Sequence, residues 1–250
     1  MDIRQLILPA GVGLTHIKVY DAATDGSVPG GGAHLHTVCS EIYYILAGSG
    51  SIELLSFDGL STVDLTPGKV VYFRPGVIHR ILNPNHNLEI LAIMQNGGLA
   101  ERGDFVMTFP AETLASPAAY AQAIRVTDDR DALRRRDLSI VGYEVLKQTM
   151  QRDTLKGQEL LRQFYRMARN LIAPKVDGFE WVLKSGTQAE AKSSFDAVDF
   201  LRLGRTDYLE RAKHGAVDPM KKTGANGMVG VLHPYALEDT TYTAEGKKVA

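Results

Sequence analysis

The sequence predicts a mostly β protein: an all-β sandwich or barrel over residues 1–100, followed by an α-helical region over residues 101–250. Three observations carry this. Short runs of β-branched and aromatic residues are separated by Gly/Pro turns about every eight to twelve residues in the first part. Charge is sparse there, with five Lys/Arg and eight Asp/Glu before residue 101 against 23 and 21 after it. Beyond residue 100 the apolar spacing changes from alternation to the helical repeat.

The strand candidates are, in order, "LTHIKVY" (14–20), "EIYYIL" (41–46), "SIELLSF" (51–57), "STVDL" (61–65), "KVVYF" (69–73), "HRILN" (79–83) and "LEILAIM" (88–94). The turns between them include "PGGG", "AGSG", "TPG", "RPG" and "NPN". The boundary falls in "QNGGLAERGD", near residue 100. Past it, "TDDRDALRRRDLSIVGYEVLKQTM" (127–150) opens with a threonine and acidic residues suited to a helix N-terminus. In "DTLKGQELLRQFYRMARNLIAP" (153–174), Leu160, Phe164, Met167 and Leu171 recur at helical spacing, and Pro174 ends the run. "TQAEAKSSFDAVDFLRLG" (187–204) and "RTDYLERAKHG" (205–215) read as two further helices, each closed by glycine. "GMVGVLHPY" (227–235) reads as a late strand returning to the barrel.

Function concentrates in "GGGAHLHTVCSEIYYILAGSG" (30–50). His34 and His36 share a strand face because side chains alternate. Glu41 is an odd number of residues on, so a bend or bulge is needed to bring it to the same side. "RPGVIHRILN" adds His79 after a Pro-Gly turn. Three imidazoles and one carboxylate suit a divalent transition metal, and iron, manganese, zinc, nickel, cobalt and copper all accept such a set.

"HLHTVCSEIYYILAG" resembles the first motif of the cupin superfamily, and "GKVVYFRPGVIHRILN" resembles the second, most of all in the phosphomannose-isomerase-type branch. The resemblance spans roughly residues 12–98 and departs from the family pattern only in two turns, at Val28 and at Arg74-Pro75-Gly76. It implies a double-stranded β-helix, or jelly-roll barrel, with a metal held inside by His34, His36, Glu41 and His79. It also implies the bend that turns Glu41 inward, and open coordination positions for water or substrate. The helical region resembles no family with an attached mechanism.

Tyr43 shares the face of Glu41 and is a candidate for lining the cavity. Cys39, the single cysteine, reads as a buried apolar residue. Arg80 faces away from His79 and suits an acidic partner, and Asn83 suits a turn. His16, His86, His214 and His233 lack partners at ligand spacing. Arg134, Arg135 and Arg136 fan over different helix faces and read as solvated surface. Trp181 reads as core packing.

The net charge of −1 gives no electrostatic case for nucleic acid or an anionic membrane. No apolar run is long enough to span a bilayer, and the N-terminus lacks the basic segment of a signal peptide. A lone cysteine fits the cytoplasm. The expectation is a homodimeric, metal-dependent enzyme that isomerises, oxygenates or cleaves a small polar molecule of sugar-like, keto-acid or phenolic kind. The alternative is a non-catalytic module that binds or senses a small molecule.

Overall fold

The computed structural model describes residues 3–23, 27–220 and 225–237. Among them, eleven strands form two antiparallel sheets. The strands are β1 (Gly13–Val19), β2 (His34–Leu35), β3 (Glu41–Ala47), β4 (Gly50–Ser56), β5 (Gly59–Leu65) and β6 (Val70–Phe73). They continue with β7 (Ile78–Leu82), β8 (Glu89–Met94), β9 (Val106–Met107), β10 (Ala225–Asn226) and β11 (Gly230–Pro234). One sheet runs β10-β11-β1-β8-β3-β6 and the other β5-β4-β7-β2-β9. Each sheet keeps two edges, so the structure is an open sandwich rather than a closed barrel. The late strand does return: β11 pairs with β1 from Thr15↔Pro234 to Val19↔Gly230.

The helices are α1 (Ala111–Leu114), α2 (Pro117–Ile124), α3 (Asp129–Arg152), α4 (Thr154–Ile172), α5 (Val176–Ser185) and α6 (Thr187–Arg202). They hold more residues than the strands, so "mostly β" describes the sandwich and not the whole described chain. The segment 205–215 does not form the expected helix. It makes only a 3-10 turn at Leu209–Arg211, where Leu209 stays exposed. Helical propensity without a buried face does not sustain a short helix.

Two cores explain the layering. Between the sheets lie Ile17, Val19, Tyr43, Ile45, Ile52, Phe73, Ile81 and Ile90. Outside the five-stranded sheet, Leu35, Leu55, Ile78, Val106 and Met107 meet Tyr143, Leu146, Met150, Leu161 and Phe164 of α3 and α4. Strand β7 is therefore covered on both faces, and Ile78, His79, Arg80 and Ile81 are all buried. By alternation His79 and Ile81 face the other sheet, while Ile78 and Arg80 face the helices. Each fully buried Ile or Leu contributes about 1.5–3 kcal/mol, so these contacts dominate helix docking.

On α4 the buried stripe is Leu161, Phe164, Ala168 and Leu171, with Leu160 and Met167 half-buried at its margin. The register of α3 is fixed by Gly142, where a Cβ would overlap the carbonyl oxygens of Thr108 and Phe109. Asp128 and Asp153 cap α3 and α4 through their side chains. No helix among the described residues is long and apolar enough to cross a membrane.

Candidate metal centre

The β2–β7 pairing sets His34 directly opposite His79. Their Nε2 atoms lie 3.1 Å apart. His36 follows β2 and turns into the same space. Glu41 opens β3, which belongs to the other sheet. The chain thus crosses the sandwich between His36 and Glu41, and strand parity does not apply across that crossing. The sequence reading anticipated a bend within one strand, whereas the structure uses a change of sheet. Glu41 Oε2 lies 3.4 Å from His36 Nε2 and 3.5 Å from His79 Nε2. One ring nitrogen from each of His34, His36 and His79 falls within 4.8 Å of the others, and all three residues are buried.

The second nitrogen of each ring is already engaged. Nδ1 of His34 meets the Gly32 carbonyl at 3.0 Å, Nδ1 of His79 meets the Val77 carbonyl at 3.2 Å, and Nδ1 of His36 meets the Asp104 carbonyl. A carbonyl only accepts, so Nδ1 carries the proton, and in the neutral rings the Nε2 lone pairs point inward. Burial keeps His34 neutral, with its pKa lowered to about 3, and burial together with the neighbouring histidines lowers His79 well below the usual imidazole value. Burial also opposes charge on His36, but the adjacent Glu41 carboxylate outweighs it and raises its pKa. His36 Nε2 and Glu41 Oε2 are buried without hydrogen-bond partners. Nε2 atoms turned inward on three buried imidazoles, beside a buried carboxylate oxygen that accepts no hydrogen bond, fit a divalent metal.

Tyr43 stands on the interior face of β3, with its ring 6.2 Å from that of His79 and 5.2 Å from Phe73. Burial and the charge of Glu41 push its pKa well up, so the phenol stays protonated. Asp104 was not recognised from sequence. It is fully buried, and its carboxylate accepts from the backbone N–H of Thr37 at 2.8 Å, Val38 at 3.1 Å and Cys39 at 2.8 Å, and from the Thr37 hydroxyl. With its carbonyl on His36, this one residue holds the whole crossing between His36 and Glu41.

Helix α3 grips the strand before the first ligand. Ser139 Oγ accepts from Ala33 N at 3.0 Å, and Thr108 Oγ1 donates to the Ala33 carbonyl at 3.1 Å. Arg136 is fully buried and donates to the carbonyls of Val28 and Gly30 and to Ser27 Oγ. Arg135, also buried, reaches the carbonyls of Asn226 and Gly227. The expected solvated arginine surface is therefore limited to Arg134, which pairs with Asp131. The other two donate to backbone carbonyls of the 27–30 segment and of the β10–β11 turn region. Gly30, at φ +140°, lets the loop pass so close to β7 that a Cβ would overlap the Ile81 carbonyl.

The remaining candidates lie elsewhere. Arg80 pairs with Glu144 at 3.1 Å and lies 3.9 Å from Glu53 beneath α3. Asn83 donates to the Val19 and Tyr20 carbonyls and accepts from Asn87 N and Leu88 N, which fixes a turn. Cys39 is buried, and its thiol points to the Asn96 carbonyl. His16 pairs with Glu89, His86 with the Asp21 carbonyl and His233 with the Met220 carbonyl, while His214 is exposed. Trp181 is 40% exposed and stacked under Arg102, not in the core.

A cavity of about 800 Å³ opens between the sandwich and helices α4 and α5. Its walls are mostly apolar, with Leu35, Val38, Phe57, Val77, Ile172, Val176 and Phe179 among them, and His36 is part of the lining. Through His36 the cavity borders the histidine cluster.

Residues 25–94 match the family model of the cupin domain. This part of the chain is a cupin domain. Solved structures similar to the chain include a DMSP lyase from Ruegeria pomeroyi, 22% identical over 40% of this chain and 43% of that one, TM-score 0.30. Others are a variant of oxalate decarboxylase from Bacillus subtilis (21%, 39% of this chain and 26% of that one, TM-score 0.31) and a protein with a double-stranded β-helix domain from Klebsiella pneumoniae (13%, 40% and 77%, TM-score 0.29). The chain spans about half or less of the first solved structures it matches. No curated protein sequence matches it.

Proposed function

We propose that this cupin holds one divalent transition metal with His34, His36, Glu41 and His79 and acts as an enzyme on a small molecule seated in the adjoining cavity. The observation that carries the reading is the convergence of inward Nε2 atoms with the unpartnered Glu41 oxygen in a buried space. A bound metal would supply Lewis-acid polarisation of a substrate oxygen or, if redox-active, activation of dioxygen. The chain's own part is to fix the ligands through the Gly32, Val77 and Asp104 carbonyls, to exclude water with apolar walls, and to present the substrate beside His36. Tyr43 stays a hydrogen-bond donor because its phenol does not ionise.

Among the described residues, besides His36, only Asp58, Tyr165 and Arg169 line the cavity with charged or acid–base side chains. Tyr165 already donates to the Gly76 carbonyl at 2.8 Å. Isomerase or lyase chemistry would find few groups to move a proton, so oxygenation, which asks least of the walls, is favoured among the three reaction classes. The same scarcity of proton-moving groups supports the second reading, a non-catalytic binding or sensing module.

The test is to load the protein separately with iron(II), manganese, cobalt, nickel, copper and zinc and search by mass spectrometry for product from phenolic, keto-acid and sugar-like compounds. Turnover in one metal form, lost in His36→Ala, supports the enzyme. Thermal stabilisation by a compound without product in every metal form overturns the enzyme in favour of the binding module.

A further inference from the structure

The cavity beside His36 has a charge pattern that selects its occupant. Its body is apolar, built from Phe57, Ile172, Val176 and Phe179. Its volume, about 800 Å³, lies in the range of roughly 300–1,000 Å³ usual for small-molecule sites. Two charged side chains line it, both exposed: Arg169 on α4 and Asp58 on the β4–β5 turn.

Arg169 stands apart from its neighbours on α4. Arg162 and Arg166 both approach Glu159, whereas Arg169 donates to the neutral amide oxygen of Asn170, at 3.2 Å. Among the described residues, no carboxylate forms a salt bridge with Arg169. Guanidinium groups bind carboxylates in paired hydrogen bonds, so a cation at the rim of an apolar pocket is a receptor for an acid group.

The inner end adds to this charge. A divalent cation held by three neutral imidazoles and one carboxylate keeps a net charge of +1. Arg169 contributes another +1 and Asp58 offsets one. The balance left for an occupant is −1.

We infer that the cavity takes an amphipathic monocarboxylate, with an aromatic or branched aliphatic body packed against Phe57, Phe179, Ile172 and Val176 and its acid group held at Arg169. A carbonyl or hydroxyl oxygen at the other end of such a molecule faces His36. This rests on the proposed metal centre for the inner charge, and on the cavity and Arg169 alone for the rest. It narrows the substrate class from small polar molecules to anions with a substantial apolar part.

Calorimetric titration of the full chain with 4-phenylbutanoate, its amide and 4-phenylbutylamine tests it, with metal content measured on the same samples. The carboxylate is expected to bind about ten-fold or more tightly than the amide, and the amine not measurably. Arg169→Gln, at an exposed position away from the metal ligands, is expected to erase the preference with metal content unchanged, and Arg169→Lys to restore part of it. Equal binding of acid and amide, binding of none of the three, or an unchanged preference in Arg169→Gln overturns the inference. A preference that persists in protein free of metal after reconstitution supports the anion pocket while refuting the metal centre. Full metal content without the preference does the reverse.

Discussion

Replacing Asp104 by asparagine preserves side-chain size and removes one charge and one acceptor. The native carboxylate divides its bonds: Oδ1 takes Thr37 N and the Thr37 hydroxyl, Oδ2 takes Cys39 N at 2.8 Å, and Val38 N is shared between the two oxygens. An asparagine that keeps its oxygen at the first position places an NH₂ group against the Cys39 N–H. That costs a charge-assisted bond and leaves a buried donor unmet, together about 3 kcal/mol. For a chain of this length the melting temperature would fall by about 6–12 °C. The loop so loosened carries His36 at one end and Glu41 at the other, so metal affinity is expected to fall about 10–100-fold, as for other residues that hold ligands in place. Thermal unfolding with and without metal, together with a competitive metal titration, reads both effects. A melting temperature within about 2 °C of the parent and an affinity within about two-fold would refute the role given to Asp104.

Three further outcomes follow from the same contacts. Arg136→Met removes the donor to the Val28 and Gly30 carbonyls, and is expected to cost about 3 kcal/mol or more in urea unfolding; a loss under about 1 kcal/mol would make the arginine dispensable. Gly142→Ala is expected to destabilise by about 1–3 kcal/mol, although alanine is the better helix former by about 1 kcal/mol, because the methyl group meets the Thr108 carbonyl; a gain in stability would show that α3 does not pack so closely. Burial and, after it, the charge of Asp104 raise the Cys39 thiol to about 12, so at pH 8 it is expected to resist a disulfide reagent in the native protein and to react promptly in urea; rapid native labelling would place it at the surface.

The parts of the fold written in local pattern were readable from sequence. Turn residues and alternating apolar runs marked the strands, and β11 was visible in "GMVGVLHPY". The proximity of His34, His36, Glu41 and His79 was readable because their spacing resembles a known motif. What was not readable depends on distant contacts. Asp104 lies some 65 residues from the loop it holds, with nothing local to mark it. Arg135 and Arg136 look like a charged helix surface until the loops that need their donors are in place. The inward aim of Glu41 follows from a change of sheet, which strand parity cannot express. The helix α2 did carry a local sign, Ser116 before Pro117, with Ser116 Oγ accepting from Ala119 N, but its short apolar pattern hid it. The segment 205–215 shows the opposite failure: helix-forming residues with no surface to bury.

Metal content by elemental mass spectrometry, on untagged protein purified without oxygen and compared with the His34→Ala/His36→Ala double variant, tests the central claim most directly. The expected result is close to one divalent transition metal per chain in the parent and none in a double variant that remains folded. A parent that stays metal-free after reconstitution, or a double variant that keeps its metal, would contradict it.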